Sequence, residues 1–274
     1  MLDADPRAQH EALGVLGVNL LHAVFHHGRD ERALVAALSD GLKDSAGRGS
    51  DRIEVDLLDL RGPAFAEPDH RLLNLHLIRA WLTRAVMFDA AGAVVAPGEA
   101  LHRRDVLLLR SNFRPVTRRH TDMLACARAA MGGAVMPVAE ITMATLLEGE
   151  VPAQDQDFLH RVDTLSALGV LVLVSDYLRY FRLRAFLRRY TAGRIGIAVR
   201  EGNLRDILDP QFYTGLEGGV LEAFGRLFPD DTHLYVYPAA RGPDGQPLPA
   251  LEHFTPPPAV RHLYAHLRDT GALV

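Results

Sequence analysis

The sequence predicts an α/β protein with a mostly parallel sheet of about six or seven strands and helices on both faces of that sheet. Short apolar runs alternate with amphipathic helical stretches along most of the chain, and this rhythm is typical of parallel strands covered on both sides. Hydrophobic residues make up 48% and charged residues 23% of the 274 residues, the composition of an ordinary globular protein. A doubly wound, open sheet is the first interpretation, and a modified barrel is the alternative.

The N-terminal part of the chain is predicted to begin with two helices. The segments 11–26 and 31–42 carry apolar side chains at helical spacing, and a Gly/Ser-rich loop follows at 45–50. Residues 52–60 alternate apolar with acidic side chains, which predicts a strand. The amphipathic segment 71–83 predicts a third helix.

From residue 85 onwards, strands and helices alternate. Two apolar runs flank a turn at Gly92, which predicts a short hairpin of residues 85–89 and 93–97. Pro137 weakens one of the later strands, because proline has no N–H group for the ladder. The later strands are predicted at 106–110, 135–142, 170–174, 194–199 and 234–237, and the later helices at 117–131, 143–147, 156–168, 177–190, 216–228 and 259–268.

The chain shows no internal repeat, and no linker composition occurs before residue 240. We therefore predict one α/β domain over residues 1–274. It comprises a helical segment (1–50), a core (51–238), and a Pro/Gly-rich tail with a closing helix (239–274).

Residue counts exclude several kinds of chemistry. Cys126 is the only cysteine, so neither an intrachain disulfide nor a cysteine-rich zinc or iron–sulfur site can form. Its place in a helical pattern predicts a small buried side chain. Lys43 is the only lysine, so the chain has no Gly-Lys-Ser/Thr phosphate loop, and Schiff-base chemistry is disfavoured.

Charge and hydropathy argue against several classes of partner. The formal charge is −4, which argues against nucleic acid. The acidic N-terminus, 1–6, lacks the apolar region of a signal peptide, and no apolar run approaches the about 18 residues of a membrane span. We therefore expect a cytoplasmic protein with no membrane partner. The histidine spacings match no recognised metal motif, so no metal site is predicted, and no particular cofactor is indicated.

The first candidate site is the loop that follows the strand at 106–110. Parallel α/β sheets bind ligands at the carboxyl ends of their strands. Thr117 is placed to cap the next helix, whose free N–H groups favour an anion. We predict that Arg110, Asn112 and Arg114 bind an anionic ligand there together with Thr117. The alternative is a solvated, basic helix start.

Other candidates follow later strands. Glu140 and Asp176 are the predicted catalytic carboxylates, and Ser175 is a predicted ligand-binding residue. Each has a structural alternative, namely a surface or salt-bridged carboxylate for Glu140, an ion pair with Arg179 for Asp176, and a helix cap for Ser175. The loop 200–205 also follows a strand, and the helix after it begins near two more ligand-binding candidates, Glu217 and Gly218. Tight helix–strand packing is the alternative for Gly218.

Several segments carry a family resemblance: 11–19, 52–56, 111–117, 157–163, 216–228 and 234–238. Through them, residues 11–274 resemble the carboxyl-terminal part of an uncharacterised family of large bacterial proteins that are named either TonB-dependent receptor or nicotinate-nucleotide adenylyltransferase. The resemblance implies a shared fold. It transfers no catalytic residue, because the Gly-x-Phe-x-Pro and His-x-Gly-His motifs expected of the adenylyltransferases do not occur here.

Two functional hypotheses follow. The first is a cytoplasmic enzyme that acts on a phosphorylated or otherwise anionic small molecule, with nucleotides among the candidates. The second is a non-catalytic binding or assembly protein whose partner is another protein or a second copy of the chain. An enzyme should gather its acids and arginines in one concave pocket. A binding module should instead present a broad apolar patch.

Overall fold

The protein is described by a computed structural model that covers residues 6–42, 53–65, 69–146, 151–229, 231–238 and 250–274, without the side chains of Ala64, Val151 and Pro152. Within these residues the chain is an α/β protein with an open, mostly parallel sheet. The predicted fold class is therefore confirmed, and the barrel alternative is wrong because the sheet does not close. The predicted loop at 45–50, Lys43 and most of the Pro/Gly-rich tail lie outside the described residues.

Helices and strands alternate much as the sequence predicts. The helices of the described residues are α1 (Pro6–His27), α2 (Glu31–Leu38), α3 (His70–Arg79), α4 (Pro97–Leu101), α5 (Arg118–Met131), α6 (Met143–Leu146), α7 (Val151–Ser166), α8 (Tyr180–Arg188), α9 (Glu201–Ile207), α10 (Gly219–Leu227), α11 (Ala250–His253) and α12 (Arg261–Asp269). The strands are β1 (Ala85–Phe88), β2 (Val94–Val95), β3 (Asp105–Arg110), β4 (Val135–Thr142), β5 (Leu171–Ser175), β6 (Ile195–Arg200) and β7 (Thr232–Tyr237). None of the described helices has both the length and the apolarity needed to cross a membrane.

The seven strands form a sheet in the order β2-β1-β5-β4-β3-β6-β7. Strand β1 is antiparallel to β2 and to β5, and the β1–β2 pair is the predicted hairpin. Strand β3 is parallel to β4 and to β6, and β6 is parallel to β7. Pro137 does not prevent β4 from forming, and it lies in register with Leu107 of β3.

The chain divides into two compact units. The first comprises residues 1–100 and 141–176, and the second comprises 101–140 and 177–274. The prediction of one domain over the whole chain stays a prediction.

In the first unit, helix starts follow side-chain capping. The carboxylate of Asp30 accepts hydrogen bonds from the backbone N–H groups of Arg32 (3.1 Å) and Ala33 (3.0 Å), which begins α2. Asp69 accepts from the N–H of Arg71 at 2.8 Å and begins α3 in the same way. These bonds satisfy N–H groups that have no partner inside the helix.

The strand predicted at 52–60 is wrong, since its described part, 53–60, forms no ladder with another strand. Its backbone groups bond elsewhere. The N–H and the carbonyl of Leu58 both bond to the side-chain amide of Asn74, at 2.9 and 2.8 Å. The N–H of Val55 donates to the carbonyl of Leu82 at 2.8 Å. Alternating apolar residues therefore anchor an extended segment to the helical core without making it a strand.

In the second unit, three parallel strands form the core. Leu108, Ile197 and Leu234 lie in register on β3, β6 and β7, and each is fully buried. Beyond β7, the N–H of Val236 donates to the carbonyl of Val274 at 2.8 Å. Buried strands of this kind end at an edge where the following loops meet.

The turn before β6 requires glycine. A Cβ at Gly193 would lie 2.3 Å from the carbonyl oxygen of Arg104, and that oxygen is already held by the hydroxyl of Thr191 at 2.6 Å. We expect Gly193→Ala to lower the free energy of unfolding by about 1–3 kcal/mol in urea titrations. Gly225→Ala is the control, because a Cβ there meets nothing within 4 Å and alanine should stabilise α10 by about 0.5–1 kcal/mol. Equal stability of the two variants would contradict this account.

The prediction that Cys126 is buried is wrong, since its side chain is exposed. The buried residues of α5 are Met123, Ala127 and Met131, which repeat every four positions. Cys126 lies one residue before this row, about 100° around the helix. The predicted helix is confirmed, but the core contacts a different side of it from the one that carries Cys126.

Candidate functional site

An open cavity of about 690 Å³, here called the arginine cavity, lies in the second unit at the carboxyl ends of β6 and β7. Arg200 is the last residue of β6, and Tyr237 is the last residue of β7. The first turns of α5 and the helix α9 complete the wall. This is the edge at which parallel α/β sheets bind ligands. Its lining residues are Arg119, Asp122, Arg200, Glu201, Gly202, Asn203, Arg205, Asp206, Tyr237 and Pro238.

Three arginines provide positive charge to the arginine cavity. Arg200 is oriented by Asn203, whose side-chain oxygen accepts from the backbone N–H and from Nε of Arg200, each at 3.4 Å. The guanidinium of Arg205 lies 5.3 Å from the ring centroid of Phe254. All three arginines are exposed to solvent. Among the described residues, none of the three forms an ion pair with an acid, so their guanidinium N–H donors, apart from Nε of Arg200, are available to a ligand.

The three carboxylates of the arginine cavity alternate with the arginines along the chain. Asp122 follows Arg119 by about one turn of α5, and the other two acids belong to α9, with Glu201 as its first residue and Asp206 in its last turn. Three formal positive and three formal negative charges therefore line one cavity. The wall offers N–H donors to an anion and carboxylate acceptors to hydroxyl or amino groups.

His120 lies beside the arginine cavity, and a hydrogen bond from a backbone N–H group indicates its tautomer. The backbone N–H of Thr117 donates to Nδ1 at 3.0 Å, so the proton of the neutral ring is on Nε2, 3.0 Å from the hydroxyl oxygen of Ser111. Burial lowers the pKa of His120, and Arg200 and Arg119 lower it further. The ring therefore donates to Ser111 and does not accept its proton, so this pair is not an activated serine nucleophile.

Two predicted site residues, Arg110 and Glu140, bind each other. They are register partners: Arg110 is the last residue of β3, and Glu140 lies near the end of β4. Nε and Nη2 of Arg110 donate to the two carboxylate oxygens of Glu140, at 2.6 and 3.2 Å. The remaining N–H groups donate to the carbonyls of Tyr177 (2.5 Å) and Leu178 (3.0 Å). Glu140 is completely buried, and although burial opposes it, this carboxylate raises the pKa of Arg110 above its ordinary value.

Tyr180 covers the same ion pair. The guanidinium carbon of Arg110 lies 4.6 Å from the centroid of the Tyr180 ring. Burial raises the pKa of Tyr180 to about 12, so its phenol is neutral near pH 7. The contacts of Arg110, Glu140 and Tyr180 hold the end of β3 and the neighbouring part of β4 to the start of α8, while ligand binding at Arg110 and catalysis at Glu140 stay predictions.

The remaining residues of the first predicted loop lie between β3 and α5. Asn112, Arg114 and Thr117 are exposed, and they do not line the arginine cavity. Thr117 is the N-cap residue of α5, as predicted. The loop is anchored by Phe113, which is buried and packs against the ring of His120 with 4.9 Å between centroids. Anion binding at this loop stays a prediction.

Ser175 and Asp176 belong to the first unit. Ser175 is the last residue of β5 and is completely buried. Asp176 forms an ion pair with Arg84, with 2.9 Å between Oδ2 and Nη2, and its backbone N–H donates to the Arg84 carbonyl at 2.9 Å. Asp176 is therefore salt-bridged, but to Arg84 and not to the predicted partner Arg179, while catalysis at Asp176 and ligand binding at Ser175 stay predictions.

Glu217 and Gly218 are exposed at the start of α10. The backbone N–H of Gly218 donates to a carboxylate oxygen of Glu222 at 2.9 Å. Glu222 also pairs with Arg226 at 2.7 Å. A side chain of the same helix therefore uses the N–H donor that an external anion would need, and ligand binding at these two residues stays a prediction.

The sequence indicates part of the arginine cavity but not all of it. The segment 200–205, predicted as a loop, satisfies the rule that sites follow strands, although it forms the N-cap and most of the helix α9. Arg119 lies two residues beyond the predicted cap Thr117. Tyr237 ends a predicted strand. In each case, the position of these residues close to a strand end is the sequence signal that indicates a site. This signal does not identify which side chains line the cavity, because helical phase decides that Arg119 faces it and Arg118 does not.

An apolar groove of about 440 Å³ adjoins the arginine cavity. Three residues, Asp122, Tyr237 and Pro238, line both. The groove runs between α5 and β7, where small side chains on the helix leave room. Its other lining residues are Met123, Ala125, Cys126, Ala127, Ala130, Tyr235, Val236 and Val274.

Histidine spacing and comparison with known proteins add no ligand to this description. His22 and His26 of α1 have ring centroids 4.5 Å apart, but the described part of the chain holds no group of three or more His, Cys, Asp or Glu side chains arranged to bind a metal ion. No protein-family model, curated protein or solved structure matches the chain. The resemblance to the bacterial family described above stays a prediction.

Proposed function

We propose that this protein binds a phosphorylated or carboxylate-bearing small molecule in the arginine cavity. The observation that carries the proposal is the convergence of Arg119, Arg200 and Arg205 on one cavity at the carboxyl ends of parallel strands. Arginine presents a planar fork of N–H donors that matches phosphate and carboxylate oxygens. A cavity of about 690 Å³ is also of the size that small-molecule sites usually have.

The acids of the arginine cavity narrow the ligand class. Asp122, Glu201 and Asp206 would repel a bare polyanion, but they accept hydrogen bonds from hydroxyl groups. A phosphorylated sugar or a nucleotide uses both sets of groups, because its phosphate faces arginines and its hydroxyls face carboxylates. The arrangement of charges therefore favours ligands that carry both a phosphate group and hydroxyl groups.

Ligand binding without catalysis is the form of the proposal that the contacts favour. The carboxylate predicted to be catalytic, Glu140, is buried and bonded to Arg110. The histidine beside the cavity, His120, has its acceptor nitrogen occupied by a backbone N–H. The enzyme hypothesis keeps the same ligand class and would have to use the cavity's own carboxylates.

The test uses ribose 5-phosphate as the probe. Its binding is measured by thermal shift and by isothermal titration calorimetry. Each ligand-binding arginine should contribute charge-assisted hydrogen bonds worth about 1.5–3 kcal/mol. We therefore expect Arg119→Gln and Arg200→Gln each to weaken binding by about tenfold or more. Higher salt should weaken binding to the natural protein as well, because the cavity is open to solvent.

Arg118→Gln is the matched control. It is the neighbouring arginine on α5, it is exposed, and it does not line the arginine cavity. We expect its affinity for ribose 5-phosphate to stay within twofold of the natural protein. Equal losses in Arg118→Gln and Arg119→Gln would overturn the assignment of the cavity. The absence of any binding by folded protein would overturn the proposed function.

A further inference from the structure

The apolar groove is continuous with the arginine cavity. Asp122, Tyr237 and Pro238 line both spaces, so a molecule whose phosphate faces the arginines can extend past Tyr237 into the groove. Beyond this junction the character of the wall changes, and the charged groups of α9 no longer contribute to it.

The groove is a slot between a small-residue side and an aromatic side. On α5, Ala127 and Ala130 have only methyl side chains, and on β7 the wall includes Tyr235 and Tyr237. Tyr235 is almost completely buried, so it is held as a fixed part of this wall. An aromatic wall of this kind favours an aromatic partner.

We infer that the ligand of the arginine cavity carries an aromatic ring, and that the apolar groove holds this ring. The inference rests on the proposed function and specifies its ligand as an aryl or nucleoside phosphate rather than a plain sugar phosphate. The charge arrangement supports this choice of occupant, because the anion-binding arginines lie at one end of a groove that is otherwise apolar. A ligand with one anionic end and one apolar end matches both parts.

The experiment compares two probes that differ at the anomeric carbon of the ribose. Adenosine 5′-monophosphate carries adenine there, whereas ribose 5-phosphate carries a hydroxyl group. We expect the nucleotide to bind the natural protein at least tenfold more tightly than ribose 5-phosphate. Ala130→Asp places a charge in the groove, and it should reduce this ratio to about one while leaving the affinity for ribose 5-phosphate within threefold.

Ala129→Asp is the matched control for that variant. Ala129 is also exposed on α5, and it does not line the groove. The control introduces the same charge on the same helix, so it reports any general effect of that charge on phosphate binding. We expect it to keep the preference for the nucleotide.

Cys126 provides an independent readout, because it is the only cysteine, it is exposed and it lines the groove. Saturating nucleotide should slow its reaction with uncharged 4,4′-dithiodipyridine at least fivefold, whereas saturating ribose 5-phosphate should not. Equal affinity for both probes would overturn the ring subsite and leave the proposed function standing. Equal losses in the Ala129 and Ala130 variants, or no protection of the thiol, would also overturn the ring subsite. Binding of neither probe would overturn both proposals.

Discussion

Replacing Arg110 by alanine is expected to lower the free energy of unfolding by about 3–5 kcal/mol. The guanidinium forms two hydrogen bonds to Glu140, whose side chain has no exposed surface. Without Arg110, the buried carboxylate loses the charge that compensates its own. Urea unfolding followed by circular dichroism measures the effect as a lower midpoint with an unchanged slope.

Two variants separate the ion pair from general effects of losing an arginine. Arg118→Ala removes an exposed arginine of α5, and it should change stability by no more than about 0.5 kcal/mol. Arg110→Met combined with Glu140→Leu removes both charges, and it should recover most of the stability lost in Arg110→Ala. If Arg110→Ala were as stable as Arg118→Ala, the ion pair would not be a stabilising feature of the β3 and β4 ends.

Acidification from pH 6.5 to pH 4 is expected to destabilise the first unit through His76. This side chain is only 6% exposed, and Nη1 of Arg79 lies 3.3 Å from its Nδ1. Burial, and then the charge of Arg79, lower the pKa of His76 from 6.5 to about 4. His76 therefore becomes protonated near pH 6.5 in the unfolded chain, but only near pH 4 in the folded protein.

The direction follows from proton linkage. Stability falls wherever the unfolded state binds more protons as the pH decreases. The loss begins below the unfolded pKa and reaches roughly 2–3 kcal/mol near pH 4, since one pKa unit corresponds to about 1.4 kcal/mol. Above pH 7 the contribution of His76 does not change with pH, because the imidazole is neutral in both states.

The measurement compares the pH dependence of unfolding in the natural protein and in His76→Gln. Glutamine does not titrate, so the variant should lose less stability than the natural protein between pH 6.5 and pH 4. His102→Gln removes an exposed histidine and should retain the natural pH dependence. Carboxylates such as Asp69 and Asp231, whose pKa values are lowered by hydrogen-bonded arginines despite burial, are present in all three proteins. Parallel curves for the natural protein and His76→Gln would contradict the expectation.

Much of the fold could be predicted because its signal is local. Strands β3, β5 and β6 are buried runs with residues such as Leu108, Val172 and Ile197 at zero exposure, and a continuous apolar run is what a strand covered on both faces requires. The hairpin of β1 and β2 follows from Gly92, whose backbone has φ of +79°. These features depend on neighbours within a few residues, so periodicity and turn chemistry identify them.

Other features could not be predicted because distant residues decide them. The segment 53–60 has the pattern of a strand, but the side chain of Asn74 occupies its backbone groups. Cys126 has the pattern of a buried helical residue, but the core contacts the adjacent row of α5. In both cases the local pattern describes the backbone conformation correctly, but the groups that contact the segment are not the ones that the pattern predicts.

The sequence by itself determined the α/β class, the order of most elements and the expectation that a ligand lies where strands end. The tertiary structure decided which side chains meet there. Arg110, the last residue of β3, lies in register with Glu140 near the end of β4, so their opposite charges pair with each other in a buried position. Arg119, Arg200 and Arg205 come from different elements and converge on one open cavity. Local hydrophobic periodicity indicates where strands end. Whether the charged side chains at those ends pair with each other or face solvent depends on strand register and helical phase in three dimensions.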